Sequence, residues 1–236
     1  MFDKIKLKTI TMFKKFFLFF LLFCLQNTWS QYVEISRDVT TYFYMNKRTG
    51  SLEDNSVKIE GSQYIDNTFY SSTFTCISEA TPPIRYNTYK EEMEFMLEDK
   101  LYYLDKNENC ELTINNVTYK YFKNYDDKDN DGYFVVLTKS KDSKFILYKK
   151  ERVKFVPAYT PGSSYGEEKP AKYVVDKSKY FIKMQDSLTA FPEKKSELIK
   201  LFPNNKEAIE LYLKENKVKF NEEPSLLLLM NFLNTL

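Results

Sequence analysis

Histidine is absent from all 236 residues. Without an imidazole the chain cannot run Ser–His–acid hydrolysis or histidine general-base catalysis, cannot build the usual zinc sites, and cannot arm a cysteine through a Cys–His pair. Glycine is scarce at five residues, which argues against glycine-rich phosphate loops and against a glycine-built propeller. Long apolar runs are missing as well. The run Phe16–Leu25, FFLFFLLFCL, has about half of the roughly 20 residues that a membrane-spanning helix needs.

That short run sits in an informative setting. Lys14 and Lys15 precede it, polar Gln26 and Asn27 follow, and Thr28-Trp29-Ser30 places small residues at both specificity positions before Gln31. A positive start, an apolar centre and a small-residue cut make residues 1–30 a signal peptide, with cleavage expected after Ser30 and export to the periplasm or the extracellular space. Translation starting at Met12 would leave this reading unchanged. Cys24 has Leu21 three residues before it, as a lipoprotein acceptor would, but Phe23 stands where the lipoprotein peptidase needs a small side chain. Cys24 therefore reads as an ordinary residue of the apolar centre. Removing residues 1–30 takes away five lysines and Asp3, so the formal net charge of +2 becomes about −2. No electrostatic footprint for nucleic acid survives, and no transmembrane segment is expected in the mature chain.

About 206 residues remain, enough for one good core or two small ones. Nineteen Tyr and twenty Phe favour strands and bring large apolar area. Strand-like runs are 31–46, 64–79, 84–89, 93–97, 101–104, 110–114, 117–122, 132–138, 144–149 and 152–156, with Lys47–Gly50 reading as a turn. Asn115-Asn116 between two runs predicts a tight hairpin, because Asn tolerates positive φ. Short strands joined by tight turns imply antiparallel pairing. The stretch 157–170, PAYTPGSSYGEEKP, is a linker or a long loop. Beyond it, 171–175 and 179–184 read as one more hairpin around Asp176-Lys177-Ser178.

Helical spacing then takes over at 194–201, 206–216 and 224–236. In the last of these, Leu226, Leu229, Met230 and Leu233 form one apolar stripe, broadened by Leu227 and Leu228. The expected fold class is α+β, an antiparallel β-rich meander body with a small C-terminal helical region. The expected organisation is a signal peptide at 1–30, a β-rich domain at 31–156, the linker or loop at 157–170, and a hairpin plus helices at 171–236.

Few residues suggest chemistry. Cys76 and Cys110 are the mature cysteines, and in an oxidising compartment they can close a disulfide; two separate thiols are the alternative. Asp127-Lys128-Asp129-Asn130-Asp131-Gly132 matches the first half of a calcium loop, with oxygen ligands at Asp127, Asp129 and Asp131. The bidentate Glu required at the twelfth position is replaced by Thr138, so only a weak calcium candidate remains beside a plain acidic turn. Asn116-Val117-Thr118 spells a glycosylation acceptor, although its place in a tight turn is the better explanation. Glu91, Glu92 and Glu94 come closest to an acid cluster, and the expectation there is a solvated sheet face balanced by lysines. No catalytic residue and no cofactor is expected.

The runs IRYNTYKEEMEF (84–95), GYFVVLTKS (132–140), KPAKYVVDKSKYFIK (169–183) and IELYLKENKVKF (209–220), with the terminal LLLLMNFLNTL, resemble a family of uncharacterised secreted proteins of Bacteroidetes, of the flavobacterial type. The resemblance covers roughly Tyr64 to Leu236. It implies an envelope or extracellular location and carries over no active residue. The functional expectation is a non-enzymatic exported protein acting through contacts with an envelope protein or a surface glycan. The alternative is a carboxylate-dependent carbohydrate-active enzyme or a carbohydrate-binding module, because glycosidases need only two facing acids and no histidine.

Overall fold

The computed structural model describes residues 47–49, 59–78, 81–125, 130–138, 143–162 and 167–236, all within one unit spanning Ile35–Leu236. The expected signal peptide, Cys24, Asp127 and Asp129 lie outside the described residues. The fold is α+β and dominated by antiparallel sheets, with a small helical region at the C-terminus.

Thirteen strands are described: β1 (Lys47–Thr49), β2 (Ser72–Phe74), β3 (Ile84–Asn87), β4 (Glu92–Leu97), β5 (Lys100–Leu104), β6 (Glu111–Ile114), β7 (Val117–Phe122), β8 (Gly132–Val136), β9 (Phe145–Lys150), β10 (Val153–Val156), β11 (Lys172–Val175), β12 (Lys179–Met184) and β13 (Ser187–Ala190). They form a four-stranded sheet in the order β1-β5-β4-β3, a two-stranded sheet β10-β11, and a seven-stranded sheet in the order β13-β12-β9-β8-β7-β6-β2. Helices α1 (Lys195–Leu201), α2 (Lys206–Asn216) and α3 (Glu223–Leu233) close the chain.

Scarce glycine leaves the tight turns to other residues. Glu98 and Asp99 turn β4 into β5 at φ 50° and 59°, and Asn115 and Asn116 turn β6 into β7 at 47° and 64°. Both pairs occupy the left-handed region that two-residue hairpins demand, and Asn and Asp tolerate it better than most side chains. The expected Asn115-Asn116 hairpin is therefore present.

Three local expectations are corrected. Lys47–Thr49 is strand rather than turn, because it finds an edge on β5 to pair with. Asp176-Lys177-Ser178 does not turn a hairpin: β11 pairs with β10, while β12 pairs with β9 and with β13. The chain after 157–170 therefore returns to the seven-stranded sheet, and 157–170 connects two strands that pair with each other. Finally, Leu228 does not broaden the buried stripe of α3. It is 63% exposed, whereas Leu226, Leu229, Met230 and Leu233 are fully buried.

One face of the seven-stranded sheet carries two different caps. Toward β6 and β7, the strands β3–β5 pack on it around Ile84, Tyr86, Met93, Phe95, Leu112 and Tyr121. Toward β9 and β12, the helices pack around Leu147, Ile182, Leu198, Ile209, Leu229 and Leu233. Helix α3 is fixed to β9 at both ends. Glu223 pairs with Lys149 Nζ at 3.1 Å, and the Asn234 side chain exchanges two hydrogen bonds with the Phe145 backbone, 2.9 and 3.0 Å long. A separate aromatic cluster of Phe134, Tyr148 and Phe181 meets edge to face, for example Phe134–Phe181 at 5.0 Å.

The structure also joins Cys76 to Cys110, with Cα atoms 5.4 Å apart. The bridge ties the end of β2 to the start of β6. Closing a loop of 34 residues is worth about 3–4 kcal/mol in the chain-entropy account.

Candidate functional site

The groove forms where the two caps leave the sheet uncovered. Directly opposed residues on antiparallel strands project to one side, so register alone aligns a row across four strands: Leu112, Tyr119, Val135 and Lys149. Leu112 disappears under the β cap. Tyr119, Val135 and Lys149 instead line a groove of about 480 Å³, together with Val117 and Leu137. Arg85, Tyr86 and Thr88 of the β cap form one wall, and Glu223 and Leu227 of α3 form the other. The volume lies in the range of small-molecule sites, roughly 300–1,000 Å³.

Three carboxylates and two cations line this groove, and all five are engaged within the protein. Lys149 Nζ lies 3.1 Å from Glu223 and 3.4 Å from Glu151. Burial pulls its pKa down, but the two carboxylates outweigh burial and hold the ammonium above its ordinary range. Asp66 accepts the Thr68 backbone N–H at 2.9 Å and the Tyr70 hydroxyl at 2.8 Å, and these bonds hold its carboxyl below the ordinary range. Arg85 donates to Glu94 through Nε at 2.7 Å, with its guanidinium packed between the rings of Tyr64 and Phe69, 4.2 and 4.4 Å away.

The Arg85 pair opens onto a buried polar network behind the wall. Glu94 is fully buried and also accepts from the Tyr64 hydroxyl at 2.8 Å and from Asn87 Nδ2 at 2.9 Å. Asn87 passes the chain to Gln63, whose amide donates to the Tyr173 hydroxyl at 2.9 Å. The irregular segment before β2 is thereby held against β3 and β4. Beside it, Glu92 receives Arg48 and Lys106, and Glu91 receives the Tyr86 hydroxyl at 2.7 Å, the Tyr133 N–H at 3.1 Å and Lys150 Nζ.

Lys150 is 3% exposed. Burial lowers its pKa, against the pull of Glu91. Its ammonium fits because residue 132 is glycine: a Cβ there would lie 2.6 Å from Nζ. The solvated glutamate face expected from the sequence is thus overturned. Glu92 and Glu94 are buried, and each meets an arginine. Their alternation with Met93 and Phe95 was legible in the sequence; burial on both sides of β4 was not.

Among the described residues, two hydroxyls at the groove have no hydrogen-bond partner. The Tyr119 hydroxyl makes no hydrogen bond among the described residues, although Tyr86 packs against its ring at 5.2 Å. Burial, then Glu151 and Asp66, push its phenol well above the ordinary range, so it stays an O–H donor. Thr88 is 3% exposed and its hydroxyl is unpartnered.

The other sequence candidates lie elsewhere. Asp131 accepts the Tyr121 hydroxyl at 2.6 Å and the Asn124 N–H at 3.1 Å, which makes it part of the β7–β8 connection. Among the described residues no group of three acidic or cysteine side chains is placed to hold a metal ion. Asn116 stands exposed at the hairpin tip beside the groove. Cys76 and Cys110 are bonded to each other and away from the groove lining.

Comparison with family models, with curated proteins and with solved structures finds no match.

Proposed function

We propose that the protein is exported and acts without a chemical step, binding a partner at the cell envelope or outside the cell. The observation that carries this reading is the engagement of every carboxylate and every cation that lines the groove. A general acid or nucleophile must be available to substrate, but Asp66, Glu151 and Glu223 each hold a protein partner, and Lys149 occupies the space between Glu151 and Glu223. The bridge between Cys76 and Cys110 supports an oxidising compartment, where such bonds persist. The leader-like residues 1–30 support export.

One observation favours the carboxylate-dependent rival. Glu151 and Glu223 face the same groove and share one ammonium, which brings them toward the roughly 5–5.5 Å separation of a retaining glycosidase. Against it, the ammonium sits where a glycosidic oxygen would have to be. Cell fractionation with intact-mass analysis tests export: the mature chain is expected outside the cytoplasm, starting at Gln31, and a cytoplasmic chain retaining 1–30 refutes it. Incubation with a polysaccharide panel tests the absence of chemistry. Product release that vanishes in both Glu151→Gln and Glu223→Gln would establish the rival.

A further inference from the structure

We propose that the groove between the β cap and the helices binds an uncharged, polyhydroxylated ligand with an apolar face, namely a short segment of a neutral glycan. The inference rests on the binding reading above and names the class of ligand.

Charge comes first. Lys149 and Arg85 are ion-paired inside the protein and Asp66 is held by two hydrogen bonds, so an ionic ligand would have to displace an existing partner. An anion would also meet Glu151 and Glu223, and a cation would meet Lys149 and Arg85. A neutral ligand avoids both costs.

Backbone comes second. An extended peptide gains much of its affinity by adding a strand to a free sheet edge. The strands that floor this groove, β7, β8 and β9, are each paired on both sides, so no ladder is open there.

The unfilled groups come third. The floor offers apolar surface from Val117, Val135 and Leu137, and Tyr119 sets an O–H donor within it. Thr88 adds a second unpartnered hydroxyl, buried within the wall and reached by a ligand only once its side chain turns. A sugar matches this arrangement: its C–H faces pack on aromatic and aliphatic surface while its hydroxyls exchange hydrogen bonds with neutral donors and acceptors. The volume of about 480 Å³ accommodates a small ligand of this kind.

The test uses the mature full-length chain on an array of neutral and acidic oligosaccharides, followed by calorimetry with the best binder. A neutral oligosaccharide is expected to bind. Tyr119→Phe and Thr88→Val, which keep volume, are expected to weaken it at least about tenfold without lowering the melting temperature. Leu227→Trp, which fills the groove from α3, is expected to abolish it and stands in should either of the first two fold poorly. Leu228→Ala, on the exposed side of the same helix, is expected to leave it intact. Three results overturn the proposal: no neutral oligosaccharide bound below about 1 mM; binding confined to acidic oligosaccharides; or neutral binding indifferent to Tyr119, Thr88 and Leu227, which would leave the two hydroxyls to water. None of these bears on export or on turnover, which the fractionation and product assays read separately.

Discussion

The β cap and the helical cap cover the same sheet face with opposite chemistry. The β cap buries Glu92, Glu94, Asn87 and Gln63 among tyrosines, and each polar group finds a specific partner. The helical cap buries leucines, isoleucine and methionine, and α3 is positioned by polar groups at its two ends, Glu223 and Asn234. Directional bonds fix one arrangement at the cost of desolvation, whereas aliphatic packing is favourable in many arrangements and is sensitive mainly to volume. The groove lies at the seam, where the two packing styles do not interdigitate.

Removing a charge should hurt the β cap most. Glu94→Gln keeps the shape but leaves Arg85 facing a neutral amide in a buried site, and an expected loss of about 3–5 kcal/mol follows from breaking a buried pair on one side. Urea denaturation measures it. A loss below about 1 kcal/mol would mean that solvent reaches Arg85 and that the two caps differ less than the burial of Glu94 implies.

In the helical cap, volume is the sensitive quantity. Leu229→Ala is expected to cost about 2–5 kcal/mol, through lost transfer free energy and the cavity left behind. Leu228→Ala on the exposed side of α3 is expected to stay within about 0.5 kcal/mol. Equal effects of the two substitutions would show that α3 is not packed as a core helix.

A smaller effect tests the fit between Gly132 and Lys150. Gly132→Ala forces the ammonium away from Glu91 or shifts β8, with an expected loss of about 1–3 kcal/mol. Combining it with Lys150→Met should recover part of that loss, because the long side chain no longer carries a charge that must reach Glu91. If the double variant is no better than the sum of the two single ones, the close approach is not what makes glycine necessary.

The smallest effect per group is alkaline. Burial and then Glu91 push the Tyr86 phenol well above its ordinary range, and burial and then Glu92 do the same to Tyr133. A raised folded-state pKa contributes stability that is complete below the unfolded value of about 10 and is lost as pH climbs from there toward the folded value. Each such phenol should remove about 1.4 kcal/mol per pH unit across that window. Lys150 works in the opposite direction, because its lowered pKa adds stability between that value and about 10.4. Denaturation midpoints should therefore fall above about pH 10, and Tyr86→Phe should flatten the fall. An unchanged slope in that variant would remove Tyr86 from the account.

Most of the strands were readable because alternation and turn residues are local signals. Asn115-Asn116 and Glu98-Asp99 mark their hairpins, and the three- and four-residue spacing of Leu226, Leu229, Met230 and Leu233 marks the core face of α3. Expectations failed where a partner distant in sequence decided the outcome. Lys47–Thr49 became strand because β5 offered an edge, and 176–178 joined two strands that pair elsewhere. Ser187–Ala190, outside the strands expected from local pattern, became β13 because β12 offered its free edge. The glutamates of β4 looked solvated because nothing within a few residues reveals that Arg85 and Arg48 will meet them.

Composition and local pattern, acting through near neighbours, settled the α+β class, the hairpin turns, the buried stripe of α3 and the exclusion of histidine chemistry. The tertiary fold settled the disulfide across 34 residues, the burial of Glu94 and Lys150, and the groove itself. Thr88, Tyr119, Lys149 and Glu223 meet only because sheet register sets Tyr119 and Lys149 in one row while β3 and α3 cover its two ends. Register and packing depend on which distant segments bury one another, and that choice is a property of the whole chain's free energy rather than of any window along it.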